Sequence, residues 1–491
     1  MEIIDEEGRL FGIVNVIDAL VVLLVLAVVV AGIALVNPFA PSGEGTPSGE
    51  GTPSGQGTQS GEETTRYATF DLVEQPAYVA NLISEGDVMS PSNTSRNITI
   101  TDVYVTPGES ENVSITVRAR INGTLKDRNG QPGKAFTYAG MRIRQGRSFT
   151  LDTADYTIDG RVTRMDDEGR SLETERMEAI LSAAVSPGTA RTLDPGQSVT
   201  IADREVARIT QVHVGPGDEP ATHQVYLGVE LETLRRSGGH YFGGELLALD
   251  RSISLRTNVF SLRGTIRTIG SSDIDRETAQ AVIETTVPTR VANEISVGDE
   301  YRLAGTTVAT VRSIDTYPGG SQEQRRVTVG LELSTVRQGD DQFFGTSRVL
   351  LGATIPFETD AYRLSGTVIR RGSLDLPGET TTETIVVKVA NVPPEIADGI
   401  RVGMTEGSSG RTTARIVDKR TEPADVILTS ESGEIFQREH PRNQDVYLTV
   451  EVTVRSTRTG LRFHSRTIQE GDIITLDFRT ISVDGTVIEI R

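Results

Sequence analysis

From residue 66 to the C-terminus, hydrophobic and polar positions alternate in short runs. Val225, Leu227, Val229 and Leu231 are separated by Tyr226, Gly228 and Glu230, and 102 residues further on Val327, Val329, Leu331 and Leu333 are separated by Thr328, Gly330 and Glu332. A period of two buries one face and wets the other, which is the pattern of an antiparallel strand. Val446, Leu448, Val450 and Val452 repeat it near the end of the chain, and Val113, Ile115 and Val117 near the start of the array. The surrounding segments also recur in a common order. A strand such as "TETIVVKVANV" is halted by proline and followed by a short helical piece, "PPEIADGI", with counterparts in "VPTRVANEI" and "QPAYVANLI". Then come a glycine turn, further strands, a "YFGG" or "FFGT" turn at Phe242 and Phe344, and a closing phrase of the form "SGTVI".

The glycine of the closing phrase stands at Gly160, Gly264, Gly366 and Gly485, and the turn glycine at Gly86, Gly196, Gly298 and Gly403. Self-similarity at about a hundred residues marks an array of domains, since the unit of a stacked solenoid is much shorter. The expected fold is all-β with minor α: four tandem barrel- or sandwich-like domains over 66–168, 169–271, 272–375 and 376–491. Each domain should hold about six short strands and one small helix. The closing-phrase glycine is expected in or beside a tight turn or bulge, where a missing side chain permits positive φ or close backbone approach. The last copy carries an insertion at 419–445, "KRTEPADVILTSESGEIFQREHPRNQD", expected as a long loop at the far tip and a place for partner contact.

Ahead of the array the pattern changes. Residues 19–36, "ALVVLLVLAVVVAGIALV", hold thirteen Leu, Ile and Val and no charge. That run is long enough to cross a bilayer, with an insertion preference of about -4 to -8 kcal/mol. It predicts a transmembrane helix over 13–36 embedded in the lipid bilayer, with 1–12 as a short cytoplasmic tail. A cleaved signal peptide would need a basic leader, whereas "MEIIDEEGRL" holds four acids and one Arg9. Residues 37–65 repeat Pro, Ser, Gly, Glu, Gly and Thr, a composition that cannot bury enough apolar surface to order itself and acts as a flexible linker. Sequons at Asn93, Asn97, Asn112 and Asn122 are possible N-glycosylation sites. Their clustering puts the repeats on the extracytoplasmic side of the cell membrane, in a single-pass protein with its N-terminus in the cytoplasm.

Charge and composition then narrow the chemistry. A net charge of -19, with 68 Asp and Glu against 49 Lys and Arg, repels polyphosphate, so a nucleic-acid partner is not expected. An acid-rich, tryptophan-free chain with Lys at only 126, 134, 388 and 419 suits a halophilic setting, where surface charge maintains solubility. Cysteine is absent, which excludes disulfides, thiolate metal sites and a thiol nucleophile. Of the five histidines, His213, His223, His240, His440 and His464, no two stand at metal-ligand spacing on one element. His213 and His223 are expected exposed, at a strand end and in a loop. Carboxylate clusters at Asp166, Asp167 and Glu168, at Asp273 and Asp275, and at Asp340 and Asp341 lack a calcium-loop pattern and read as solvated surface. No catalytic, cofactor-binding or metal residue is assigned, and no cofactor is expected. The expected role is structural, scaffolding or binding in the cell envelope, with envelope proteins or glycans as partners. The alternative is a hydrolase-like envelope enzyme with a site between repeats, which would break the repeat symmetry with titratable groups in one pocket.

The opening "IDEEGRLFGIVNVIDALVVLLVLAVVV" resembles the start of the domain of unknown function 4330 family, through Asp5, Gly8, Arg9, Leu10, Phe11, Gly12, Asn15 and Asp18. The "VGD", "VATV" and "GTVI" layout is similar to the domain behind the membrane span in that family. The resemblance implies one membrane span and β structure. It implies no activity, and this chain departs from it in carrying about four such units where one is usual.

Overall fold

The computed structural model describes residues 9–10, 14–15 and 61–491, apart from 91–95, 109, 128–133, 320, 322, 409–410, 430–434 and 479. The expected membrane span over 13–36 therefore lies outside the described residues, except for Val14 and Asn15, which pair antiparallel with Leu10 and Arg9. Among the described residues no helix is long and apolar enough to cross a membrane.

Residues 61–491 form one compact unit containing four eight-stranded sheets, so the chain is all-β with tandem repeats of similar topology. The first sheet begins at Glu62, ahead of the expected repeat start at 66. Each repeat opens with a long strand, Glu62–Pro76, Thr174–Val185, Arg276–Pro288 or Glu379–Val392. This opening strand pairs antiparallel with a central strand, Asn112–Asp127, His223–Arg236, Gln324–Gln338 or Ile435–Thr457. Between them a short helix, such as Thr289–Glu294, follows the proline that ends the opening strand. A two-strand hairpin then lies on the far side of the central strand, as Glu300–Leu303 and Thr306–Pro318 do in repeat 3.

The second half of each repeat mirrors the first. After the central strand come a small lip hairpin, such as Asp341–Phe344 with Ser347–Arg348, and then a second two-strand hairpin on the far side of the opening strand, Thr354–Glu358 with Arg363–Arg371. Sheet order is thus palindromic about the opening–central pair. The turn chemistry obeys the same two-fold: Gly298 N donates to Val311 O at 2.8 Å, and Gly352 N donates to Val368 O at 2.9 Å. Both glycines hold positive φ, 97° and 82°, which a side chain would disfavour. The outer strands of repeat 3 approach through the Tyr301 and Phe357 rings, whose centroids are 5.9 Å apart, so the sheet curls towards a barrel. Its alternating positions line the inside: Val327, Val329, Leu331 and Leu333 are fully buried.

Three expectations change. The repeats have eight strands rather than six, because the lip hairpin and the edge strands are too short to carry a periodic signal. The insertion at 419–445 is an extended two-stranded ribbon rather than a loop, with Asp425 opposite Glu439 and Thr429 opposite Ile435. Its run of charged and polar residues carries no hydrophobic alternation by which a strand could be read. The closing-phrase glycines lie within strands and away from tight turns. A Cβ on Gly366 would meet Ile283 Cβ at 2.9 Å, and one on Gly485 would meet Val387 Cγ1 at 2.4 Å, so close approach of the opening strand is what requires glycine.

Repeats 1 and 4 each have their own core, whereas the apolar cores of repeats 2 and 3 run together into one. Gly366→Ala should lower the unfolding free energy by roughly 1–3 kcal/mol, because Ile283 is held by its own strand and cannot move aside. Equilibrium denaturation against the wild type measures this.

Candidate functional site

Successive repeats meet at joints of one design. The lip hairpin of the later repeat sits against the inner hairpin of the earlier one, the hairpin that the central strand forms with the strand before it, at the proline ending that strand: Pro107, Pro216 and Pro318. At the first joint Gly243 N donates to Thr106 Oγ1 at 3.0 Å, and Tyr104 OH donates to Glu232 O at 2.7 Å. At the second, Thr346 N donates to Pro216 O at 3.2 Å and Tyr226 OH to Gly345 O at 3.0 Å. The lip turn itself crosses the neighbour's backbone: a Cβ on Gly345 would stand 1.9 Å from Pro216 O. Glycine is required there twice over, since φ is 61°.

The third joint departs from this pattern. The equivalent of Gly243 and Gly345 in repeat 4 is His464, still at positive φ (49°). Its carbonyl accepts from Arg326 Nη1 at 3.2 Å, and its imidazole Nε2 lies 2.5 Å from Glu406 Oε1 in a buried pair. Glu406 is also held by Thr413 Oγ1 and Asp477 N, each donating at 2.9 Å. Ion pairs replace backbone ties: Arg325 with Asp477 at 2.9 Å and Arg411 with Asp315 at 2.7 Å. A side chain where the other joints have none leaves space on both sides of His464. One space is a cleft of about 130 Å³ bordered by Asp315, Tyr317, Arg411, Arg455 and Arg462. The other, about 280 Å³, is bordered by Arg326, Arg466 and Asp472. Burial and the Asp315 carboxylate push the Tyr317 phenol up to about 12, against the opposing effect of Arg455 and Arg411.

The residues singled out by sequence fall as follows. Asn93 lies outside the described residues. Asn97 and Asn122 meet, Asn122 Nδ2 donating to Asn97 Oδ1 at 2.7 Å, and Asn112 begins the central strand of repeat 1. Asp166 pairs with Arg118 at 2.6 Å and Arg164 at 3.0 Å, while Asp167 pairs with Arg66. The buried Arg118 guanidinium also donates to Gly169 O at 3.0 Å and to Glu168 O at 3.2 Å, and so pins the crossing into repeat 2. Asp273 accepts from Gln211, Asp275 faces Arg337 at 3.7 Å, and Asp341 pairs with Arg348 at 2.5 Å. These carboxylates therefore tie strands and crossings together and do not gather at one centre. Among the described residues no group of three or more His, Asp or Glu is placed to hold a metal ion.

His213 and His223 are buried in strands, contrary to the expected exposure, because the second joint covers the hairpin that carries them. Among the described residues His213 Nε2 has no hydrogen-bond partner, and burial, aided by Arg276, lowers its pKa to about 4. Sequence reading missed Asp315, Arg411, Arg455, Arg462 and Glu406 altogether. A signal was present: where repeats 2 and 3 have Leu234 and Val336, repeat 4 has Arg455.

A profile described as Domain of unknown function (DUF4330) matches residues 1–166 and 374–491, more than half of the chain. The chain belongs to the DUF4330 family. The matched parts of this DUF4330 protein include its first and last repeats, and repeats 2 and 3 lie between them. No curated protein matches.

Two outcomes follow for the joints. Gly345→Val should pry open the second joint of the DUF4330 protein, read as a several-fold faster proteolytic cut at the 270–275 crossing with the sheets still folded by circular dichroism. For His213, the unfolded chain binds a proton below about pH 6.5 that the folded chain refuses until about pH 4. Stability should therefore fall as pH drops through that window, by up to roughly 3 kcal/mol. His213→Tyr, which copies Tyr104 of the first joint, should remove this part of the dependence when denaturation is compared at pH 7 and pH 4.5.

Proposed function

We propose that this DUF4330 protein is a membrane-anchored component of the cell envelope whose four repeats act as an extracytoplasmic scaffold and binding array. The observation that carries the reading is the serial joint: interlocked turns, pinned crossings and ion pairs hold consecutive repeats to one another, as a load-transmitting or spacing element requires. The uncharged run at 19–36 and the Gly-rich stretch at 37–65 supply an anchor and a tether. The exposed ribbon of repeat 4 offers strand edges for adding a partner's strand.

One observation favours the second reading, a hydrolase-like envelope enzyme with a site between repeats. His464 bridges Glu406 and the third joint and is followed by Ser465. The Ser465 hydroxyl lies 3.4 Å from Thr328 Oγ1 across the joint, which makes it a tie between repeats. Ester hydrolysis that vanishes in Ser465→Ala, with the fold retained, would support the enzyme reading over the scaffold.

Protease added to intact cells expressing the chain with a tag at each end should digest repeats 1–4 and the C-terminal tag while sparing the N-terminal tag. Protection of the repeats, or loss of both tags, would overturn the topology on which the scaffold reading rests.

A further inference from the structure

The lip hairpins carry one cross-strand pair at an equivalent place in every repeat. It is Thr124 opposite Thr137 in repeat 1, Leu234 opposite Tyr241 in repeat 2, Val336 opposite Phe343 in repeat 3, and Arg455 opposite Arg462 in repeat 4. The first pair shares a hydrogen bond at 2.9 Å, and the next two place buried Leu234 and Val336 against an aromatic ring. Two guanidiniums directly opposite each other repel, so the fourth pair weakens the hairpin it belongs to. A local loss of this kind at a single repeat points to a site under functional constraint.

The neighbours do not neutralise the pair. Arg455 Nη1 donates to the backbone carbonyl of Leu376 at 3.2 Å, and Arg462 donates to the carbonyl of Ser465. Among the described residues neither has a carboxylate within ion-pair distance. Among the described residues that line the cleft the one carboxylate, Asp315, is bound to Arg411 at 2.7 Å. Asp315 itself takes the position held by Tyr104 and His213 at the first two joints, as its pairing with Thr328 on the central strand shows. The cleft thus carries a surplus of positive charge in a chain of net charge -19. Ile369, Leu376 and Pro377 supply apolar surface to the cleft beside Thr380, Thr412, Thr413 and Thr453.

We infer that the cleft at the third joint binds a small organic carboxylate with a ring-sized apolar body. The Arg455 and Arg462 guanidiniums present planar donors that match a carboxylate. Asp315 disfavours a second negative charge and so selects a monoanion over phosphate. The volume of about 130 Å³ is close to that of a cavity that accepts benzene, and Ile369, Leu376 and Pro377 offer the ring apolar contact. The inference goes beyond the scaffold reading of the joints and stands apart from the membrane topology, which the protease experiment tests by itself.

Benzoate serves as the probe, titrated by calorimetry into the full chain in nanodiscs, with benzamide and inorganic phosphate as comparisons. Saturable benzoate binding with a Kd of about 1 mM or tighter is expected, with benzamide and phosphate at least tenfold weaker. Arg455→Leu combined with Arg462→Tyr copies the pair of repeat 2, so it should fold with an equal or higher Tm and lose benzoate binding at least tenfold. Arg455→Gln with Arg462→Gln provides a second check on the charge alone. No saturation by benzoate up to about 10 mM would overturn the inference. So would equal binding of benzamide or phosphate, or benzoate binding that persists in the folded Leu/Tyr variant.

Discussion

Each repeat depends on the antiparallel ladder between its opening and central strands. In repeat 3 it runs unbroken from Arg276 opposite Val336 to Pro288 opposite Gln324. Every other hairpin is attached to one side of this ladder or the other, so its register sets which side chains face the interior. A slip of one residue would turn Val327, Val329, Leu331 and Leu333 outward together. The same ladder fixes the closing-phrase glycines, because the side chain that covers each of them, such as Ile283 over Gly366, belongs to the opening strand.

The ladder also explains how the repeats join. By holding the inner hairpin and the lip hairpin at opposite ends of a two-fold arrangement, it gives each repeat one acceptor surface and one inserting turn. Glycine at the inserting turn makes the second joint tight enough for Tyr226 to reach Gly345 O and Thr346 to reach Pro216 O. At the third joint, His464 in that place substitutes ion pairs for backbone contacts and leaves the cleft. Part of that joint's free energy therefore comes from Arg325–Asp477 and Arg411–Asp315, which salt screens to a degree that backbone hydrogen bonds do not share.

Strand periodicity, the turn glycines and the four-fold repetition were all legible in the chain, since each is a local pattern. Gly86, Gly196, Gly298 and Gly403 do hold positive φ, as a turn after a short helix requires. Edge strands of two to four residues were not legible, because alternation needs more positions than they have. The ribbon of repeat 4 was hidden for another reason: its charged and polar residues carry no hydrophobic spacing, while its pairing is set by the backbone.

The sequence by itself determined an all-β array of four like units and membership of a family marked at both ends of the chain, because periodicity and repetition are carried by neighbours in sequence. Only the tertiary structure decided that His213 is buried, that Arg118 pins a crossing, and that Arg455 and Arg462 line one cleft with Asp315. Those facts depend on which surfaces meet, and the meeting partners lie far apart in the chain, 51 residues for Arg118 and Gly169 and 96 for Asp315 and Arg411. A hydrophobic-to-arginine change in one copy is written in the sequence, but its consequence exists only where two repeats close on it.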